Sequence, residues 1–281
     1  MKDKLLYLSR IALADFLLQD NEGESTLDNR IKLILCDLDD TLMTSKKEVL
    51  PLTRDVLWEC SRRGIIIGYV TIRSPRKTAI YTKGLPCDCL ANYNGAVIRV
   101  KEEMIGNYSI PHNAGLQLIT SLQRDYPNAS IGAYFEPYFY RDNQIGVIGS
   151  EEAISFTPAD MPAYDFQRIR IVPGRDRIDI TKYITADMAY SITVHGSLII
   201  TSSQANKEHA TKKIMEHLGI KPSEVLSFGD DYVDIGMLKV SGTGVAMGNA
   251  VDAVKEMADY ITLTNEEEGI ADYLRRYVLS E

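Results

Sequence analysis

The sequence predicts an α/β fold in which an α+β segment is inserted into a parallel-sheet core. Short apolar runs alternate with helix-like segments near both ends of the chain, which is the pattern of parallel strands joined by helices. Between Pro111 and Ile199 this alternation gives way to strand-like pieces that are rich in tyrosine. We therefore predict that residues 31–110 and 200–281 form one α/β core and that residues 111–199 form an α+β domain.

The first part of the predicted core contains two strand–helix units. Residues 31–36 are a short apolar run of strand length, and residues 52–63 have helical spacing that ends at Gly64. Glycine is a common helix stop because it adopts left-handed backbone angles without strain. A second apolar run follows at residues 65–70, and the next helical stretch lies around residues 78–83.

The insertion and the second part of the core are also predicted to consist of helices and strands. The insertion has one helical pattern and several strand-like pieces, at residues 114–126, 131–135, 138–140, 168–172 and 191–194. After it, an amphipathic helix closed by Gly219 is expected, with short strands and one more helix beyond it, at residues 207–218, 225–228, 244–247, 251–258 and 260–263.

Residues 1–30 have the pattern of an amphipathic helix followed by a polar linker. Apolar side chains recur from Leu5 to Leu17, but Arg10 and Asp15 interrupt them. This pattern is unlike a signal peptide or a membrane span, which need a continuous apolar run. We expect the helix to pack on the main body or to mediate a homo-oligomer.

Composition excludes several classes of function. The 281 residues carry 31 basic and 39 acidic side chains, a net charge of −8, and no basic stripe of the kind that binds nucleic acid. The four cysteines form no CxxC pair, and we expect them to be reduced thiols. We expect a cytoplasmic enzyme that acts on a small ligand, with no nucleic-acid or membrane partner.

Two carboxylates follow the first predicted strand directly. Asp37 and Asp39 belong to the segment Asp-Leu-Asp-Asp-Thr. The carboxyl ends of parallel strands are where open α/β sheets bind ligands. Two adjacent carboxylates repel each other, and a divalent cation such as Mg²⁺ is the usual way to hold both ionised. Taken alone, the pair could equally cap the following loop.

Three further elements make the ligand-binding interpretation stronger. Thr71 follows the second strand and offers a hydroxyl and backbone amides that can bind phosphate oxygens. Lys207 begins a helix after the insertion, where its charge can meet a phosphate. Asp230 and Asp234 follow a later strand and add carboxylates. Each of these elements is weak evidence alone. Because each follows a predicted strand or the insertion, in this order, their combination is hard to ascribe to chance.

The chain resembles the haloacid-dehalogenase superfamily, specifically the Cof-like phosphatases with a type-II cap. The resemblance implies a Rossmann-like core with an inserted α+β cap domain, and it covers residues 31 to the C-terminus. The segments that carry it are Ile34–Leu42, Thr71–Arg73, Asn94–Ala96, Asn206–Lys207, Phe228–Asp234, Gly244–Ala250 and Ala258–Ala271.

The resemblance implies a covalent mechanism. Asp37 would attack phosphorus and become an aspartyl-phosphate, and Asp39 would protonate the leaving oxygen and then activate water. The presence of Asp39 argues against dehalogenation, because that branch of the superfamily lacks the second aspartate. The implied reaction is the hydrolysis of a small phosphorylated metabolite, such as a sugar phosphate.

The resemblance also implies two sets of binding residues. Mg²⁺ would be held by Asp37, Asp39 (through its carbonyl), Asp230 and Asp234. The substrate would be bound by Thr71, Arg73, Lys207 and Asn249.

Four positions depart from the family's pattern. Glycine is common where this chain has Asp40, Ile72 and Glu208, and asparagine is usual where it has Val233. Because an asparagine could hold one loop carboxylate, we expect Val233→Asn to lower the Mg²⁺ concentration needed for half-maximal rate or to raise kcat. The departures at Ile72 and Val233 leave open a weakly active phosphometabolite-binding protein. A phosphomutase or phosphotransferase that uses the same aspartate is a second alternative.

Overall fold

The computed structural model describes residues 31–136, 138–141, 144–147, 153–155, 161–193 and 196–280. The helix predicted within residues 1–30, and any subunit contact through it, lie outside these residues. The described part of the chain contains a mostly parallel sheet and a separate antiparallel sheet. This arrangement confirms the predicted α/β fold class.

The larger sheet has eight strands, in the order β15-β14-β13-β1-β2-β3-β4-β5. Pairing is parallel from β15 to β3 and antiparallel at β4 and β5. Strand β1 lies at the centre, between β2 and β13. The strands are β1 Leu33–Cys36, β2 Ile66–Val70, β3 Cys89–Asn92, β4 Val97–Val100, β5 Glu103–Asn107, β13 Val225–Gly229, β14 Thr243–Ala246 and β15 Tyr260–Ile261.

Helices cover both faces of this sheet, which explains why β1 is apolar at every position. Ile34 and Cys36 pack into the core on one face, and Leu33 and Leu35 pack into the core on the other. The helices of this domain are α1 Pro51–Arg62, α2 Pro75–Tyr81, α4 Lys207–Leu218, α5 Ile235–Val240, α6 Asp252–Met257 and α7 Gly269–Tyr277. No helix in the described residues is long and apolar enough to cross a membrane.

The second sheet has seven antiparallel strands, in the order β11-β12-β10-β6-β7-β8-β9. Helix α3 (His112–Asp125) packs on one of its faces through Leu118, Ile119 and Leu122, which share a buried cluster with alternate residues of β6 and β10. The strands are β6 Ser130–Phe135, β7 Tyr138–Arg141, β8 Gln144–Val147, β9 Ala153–Ser155, β10 Arg168–Val172, β11 Met188–Ile192 and β12 Leu198–Ser202.

Candidate active site

The candidate site lies where the order of the parallel strands reverses around β1. Strand β2 leaves β1 on one side and β13 flanks it on the other, so Asp37, Thr71 and Asp230 each follow the carboxyl end of one of three adjacent strands. Such a switch point is where open α/β sheets bind ligands. Asp37 and Thr71 are buried, and Asp230 is partly exposed.

Lys207 enters the site from the first turn of α4. The side chain of Asn206 caps this helix by accepting a hydrogen bond from the His209 amide at 2.8 Å. The Lys207 side chain is fully buried, and its Nζ lies 2.5 Å from Oδ1 of Asp37 and 2.5 Å from Oδ1 of Asp234. One ammonium therefore joins the carboxylates that follow β1 and β13.

A glycine lets the amino end of α4 approach the sheet closely. Gly95 has a φ of +97°, and a Cβ there would lie 2.8 Å from the Asn206 carbonyl oxygen. The preceding residue, Asn94, donates from Nδ2 to the Ala205 carbonyl at 3.3 Å. Together these contacts fix the position from which Lys207 reaches Asp37.

Asp234 organises the loop after β13. Its Oδ2 accepts hydrogen bonds from the backbone amides of Asp230 and Asp231, at 2.9 and 3.0 Å. Because Lys207 occupies the other oxygen, Asp234 is engaged at both carboxylate oxygens. Asp230 itself accepts a hydrogen bond from the Thr41 hydroxyl at 2.6 Å.

The electrostatics of these carboxylates favour a bound cation. Oxygen atoms of Asp37, Asp230 and Asp234 lie within 4.8 Å of one another. Burial, reinforced by the negative charge of Asp234, raises the pKa of Asp37 to about 8, although Lys207 acts to lower it. Burial and the charge of Asp234 also raise the pKa of Asp230 to about 7, although the hydrogen bond from Thr41 acts to lower it. Crowded carboxylates that resist ionisation are what a divalent cation stabilises, and oxygen ligands suit Mg²⁺. The donor set therefore fits this ion.

Asp39 points to a different set of partners. Arg73 binds its carboxylate through two hydrogen bonds, from Nε at 2.6 Å and from Nη2 at 2.5 Å, and Lys47 Nζ lies 3.0 Å away. Although burial opposes the effect, these bonds lower the pKa of Asp39. The Asp39 side chain is thus outside the carboxylate cluster, which is compatible with metal binding through its carbonyl only.

Two of the expected substrate ligands are occupied within the protein. The Arg73 guanidinium is engaged with Asp39. The Asn249 side chain bridges two backbone groups, donating to the Asp40 carbonyl at 2.7 Å and accepting from the Asn265 amide at 3.0 Å. Their roles as substrate ligands stay predictions, and in this structure both residues act on neighbouring protein groups.

Two of the departures from the family's pattern have a structural explanation. Asp40 has a φ of +60°, in the left-handed region where glycine is unstrained. Glu208 lies beside Gly236 of α5, where an added Cβ would come within 2.8 Å of the Glu208 Cβ. The glycine on the facing helix therefore leaves the room that the Glu208 side chain needs.

The structure brings together Asp37, Lys207, Asp230 and Asp234, which the sequence singled out. Three contributors were not predicted: Thr41, which holds Asp230; Lys47, which pairs with Asp39; and Arg168, which reaches this region from β10. Thr41 stands in the Asp-Leu-Asp-Asp-Thr segment, so its proximity could have been inferred. Lys47 and Arg168 depend on tertiary contacts that no local pattern indicates.

A buried carboxylate at a switch point, bonded to a buried lysine and beside carboxylates that fit a cation, suits an enzyme that handles phosphoryl groups. Comparison with known proteins agrees. The family described as haloacid dehalogenase-like hydrolase matches residues 34–274. The chain belongs to this family, and it is a hydrolase of phosphoric monoesters of the Cof-like kind.

Two curated relatives and one solved structure illustrate the similarity. The 5-amino-6-(5-phospho-D-ribitylamino)uracil phosphatases YitU and YcsE of Bacillus subtilis are 27% and 28% identical; the alignments cover 87% and 89% of this chain and 97% and 96% of theirs. The crystal structure of a haloacid dehalogenase-like hydrolase from Bacteroides thetaiotaomicron has a TM-score of 0.73 and 27% identity. That match covers 88% of this chain and 99% of the other.

Proposed function

We propose that this phosphatase is magnesium-dependent and hydrolyses a small phosphorylated metabolite through an aspartyl-phosphate at Asp37. The observation that carries the proposal is the environment of that carboxylate. Asp37 is buried at the switch point, Lys207 holds its Oδ1, and Asp230 is its neighbour in the carboxylate cluster. This environment supports the proposal because it would give the nucleophile a fixed positive charge and a bound cation in one place.

In the first step an oxygen of Asp37 attacks phosphorus. A bond forms between that oxygen and phosphorus while the bond from phosphorus to the leaving oxygen breaks, and Asp39 gives the leaving oxygen its proton. In this structure Asp39 is paired with Arg73 and Lys47. Proton donation therefore requires Asp39 to take up a proton from solvent, which substrate binding allows by loosening these ion pairs.

In the second step water attacks the phosphorus of the aspartyl-phosphate. Asp39 accepts a proton from this water, the bond between phosphorus and the Asp37 oxygen breaks, and inorganic phosphate is released. The same side chain thus serves as acid and then as base. The ion pairs of Asp39 with Arg73 and Lys47 favour the ionised form that the second step needs.

Charge on the transferring phosphoryl group is balanced by fixed cations. Lys207 is held in place by Asp234 and aims its ammonium at the reacting carboxylate. Thr71 is buried at the end of the neighbouring strand; its hydroxyl accepts a hydrogen bond from the Arg73 amide at 3.1 Å and keeps its own proton to donate to a phosphoryl oxygen. Mg²⁺ would be held by Asp37 and Asp230, with Asp234 fixing the loop, and when bound it would supply positive charge against the phosphoryl oxygens.

Support for a small phosphorylated substrate comes from the relatives. YitU and YcsE are named for the phosphate monoester of a ribitylamino-substituted uracil. That compound is a suitable first substrate, alongside common sugar phosphates.

The experiment is a screen for phosphate release from phosphorylated metabolites in the presence of Mg²⁺. We expect at least one such ester to be hydrolysed, activity to vanish after exhaustive chelation, and Ca²⁺ to support it poorly because that ion prefers more ligands at longer distances. Full activity after chelation would contradict the metal assignment. Transfer of phosphate to an added hydroxyl compound, without release, would favour the phosphotransferase alternative.

A further inference from the structure

One face of the antiparallel sheet carries two arginines on a single strand. In β10 the side chains of Ile169 and Ile171 are buried in the core with α3, so Arg168 and Arg170 lie on the opposite face. Residues two apart on a strand are separated by about 7 Å. The two side chains therefore start from adjacent positions on the face opposite α3.

The Arg168 end of this face touches the catalytic core. Arg168 donates from Nη1 to the Ile72 carbonyl at 3.2 Å, and Ile72 directly follows Thr71. The guanidinium also lies 5.3 Å from the ring centroid of Tyr93 and 4.6 Å from that of Tyr134. These contacts place the Arg168 end of the face next to the segment that contains Thr71.

Neither arginine is neutralised by a carboxylate of the described residues. Within the described residues no carboxylate forms an ion pair with Arg168 or Arg170. The Arg168 Nε atom is buried without a hydrogen-bond partner, and Arg170 bonds the uncharged Ser197 hydroxyl at 3.1 Å. Burial lowers the pKa of Arg168, and the charge of Arg170 adds to this effect. Arg168 is half-buried, and a cation that is partly removed from water without a counterion is unfavourable.

The strand beside Arg170 has a glycine that packing does not require. Gly132 of β6 pairs with Arg170 across the sheet. A Cβ at this position would meet only the Tyr140 carbonyl oxygen, at an ordinary 3.6 Å. Glycine weakens a strand interior, and it commonly marks a place where a ligand comes close to the backbone. Here it leaves open space next to the arginine pair.

We propose that Arg168, Arg170 and the open position at Gly132 form a leaving-group subsite for a second anionic group on the substrate, either a phosphate or a carboxylate. Guanidinium groups bind both anions through paired hydrogen bonds. The inference rests on the proposed function, because it names the class of ester that the phosphatase selects.

A purely structural role for Arg168 makes a different prediction. If the residue only joined the two sheets through Ile72 and Tyr93, its replacement would slow every substrate to a similar degree. An anion subsite instead changes the ranking of substrates that differ by one negative group. The ratio between matched substrates therefore separates the two roles.

Two matched pairs test the ranking, and the measured quantity is kcat/KM with Mg²⁺ present. Fructose 1,6-bisphosphate is compared with fructose 6-phosphate, and 3-phosphoglycerate with glycerol 3-phosphate. In each pair the first compound carries one more anionic group, a phosphate in one pair and a carboxylate in the other. We expect the more anionic member of at least one pair to be preferred by about tenfold or more, and the pair concerned identifies the anion.

The variants are Arg170→Gln and Arg168→Lys, with Arg177→Gln as the control. Arg177 is exposed and follows β10 beyond its far end, so the control removes the same charge elsewhere. Arg170→Gln should bring the preference close to one. Arg168→Lys should reduce it because lysine cannot form the paired bonds, while the control should keep it. Equal rates within both pairs for the unmodified protein, or an unchanged preference in Arg170→Gln, would overturn the proposal.

Binding separates this inference from the proposed function. Calorimetric titration of the same four compounds into the Asp37→Asn variant needs no turnover. Tighter binding of the more anionic member, weakened by the added Arg170→Gln change, supports the subsite even if no phosphate is released. Release of phosphate from several esters without any such preference would uphold the phosphatase and reject the subsite.

Discussion

The Nζ atom of Lys207 lies 2.5 Å from Oδ1 of Asp37, although 170 residues separate the two in the sequence. The contact joins a residue that precedes the inserted segment in the sequence to one that follows it. Lys207 therefore bears on both activity and stability, because the ammonium that faces Asp37 also pairs with the buried Asp234.

Lys207→Met should therefore reduce both activity and stability. The change leaves Asp37 and Asp234 buried without their cation, which typically costs about 3–5 kcal/mol in the free energy of unfolding. We expect kcat to fall by about a hundredfold or more, because a fixed charge facing the phosphoryl group is lost.

Chemical denaturation and steady-state kinetics of this variant provide the measurement. Lys212→Met on the same helix is the control, because Lys212 is exposed and pairs with the exposed Glu208 side chain. The control should change stability by no more than about 0.5 kcal/mol. Similar losses in both variants would show that the buried ion pairs have no special role.

Thr41→Val should weaken the metal site without removing a metal ligand. The Thr41 hydroxyl donates to Asp230 at 2.6 Å, and valine has the same shape but no donor. We expect the Mg²⁺ concentration for half-maximal rate to rise by about tenfold or more, whereas Thr41→Ser should keep it near its original value. If valine and serine variants give the same Mg²⁺ titration, the hydroxyl does not orient Asp230.

Val233→Asn should have little effect, contrary to the expectation from sequence. Both oxygens of Asp234 already have partners, namely Lys207 and the amides of Asp230 and Asp231. Val233 is 37% exposed. We expect the Mg²⁺ titration and kcat to change by less than about twofold, which is within the usual scatter of surface substitutions. A clear drop in the Mg²⁺ requirement would restore the original expectation.

Local pattern was sufficient to predict the elements that position the site. The apolar run before Asp37, the helix of α4 with its stop at Gly219, and the strand before Asp230 were all predicted close to their observed bounds. Each has a period or a cap that the residues themselves encode.

Elements with weaker local signals were missed or displaced. The hairpin of β4 and β5 was not predicted, because β5 is mostly exposed and carries no alternating apolar pattern. Strand β11 was expected at residues 191–194 but occupies Met188–Ile192, where only Met188 is buried. Pairing with β12 fixes its position, and that information is not local. The alternation of β10 is local and places Arg168 and Arg170 on one face, but the contact of Arg168 with Ile72 is a tertiary one that no local pattern indicates.

The central claim is that Asp37 carries the phosphoryl group. Its most direct measurement is rapid-quench mass spectrometry with p-nitrophenyl phosphate, whose leaving group needs little protonation. The Asp39→Ala variant is used because loss of the base slows hydrolysis of the intermediate. We predict a phosphoryl group on the peptide that contains Asp37, and none when Asp37→Asn is added. A phosphorylated peptide from elsewhere in the chain, or turnover by Asp37→Asn alone within about tenfold of the unmodified protein, would contradict the account.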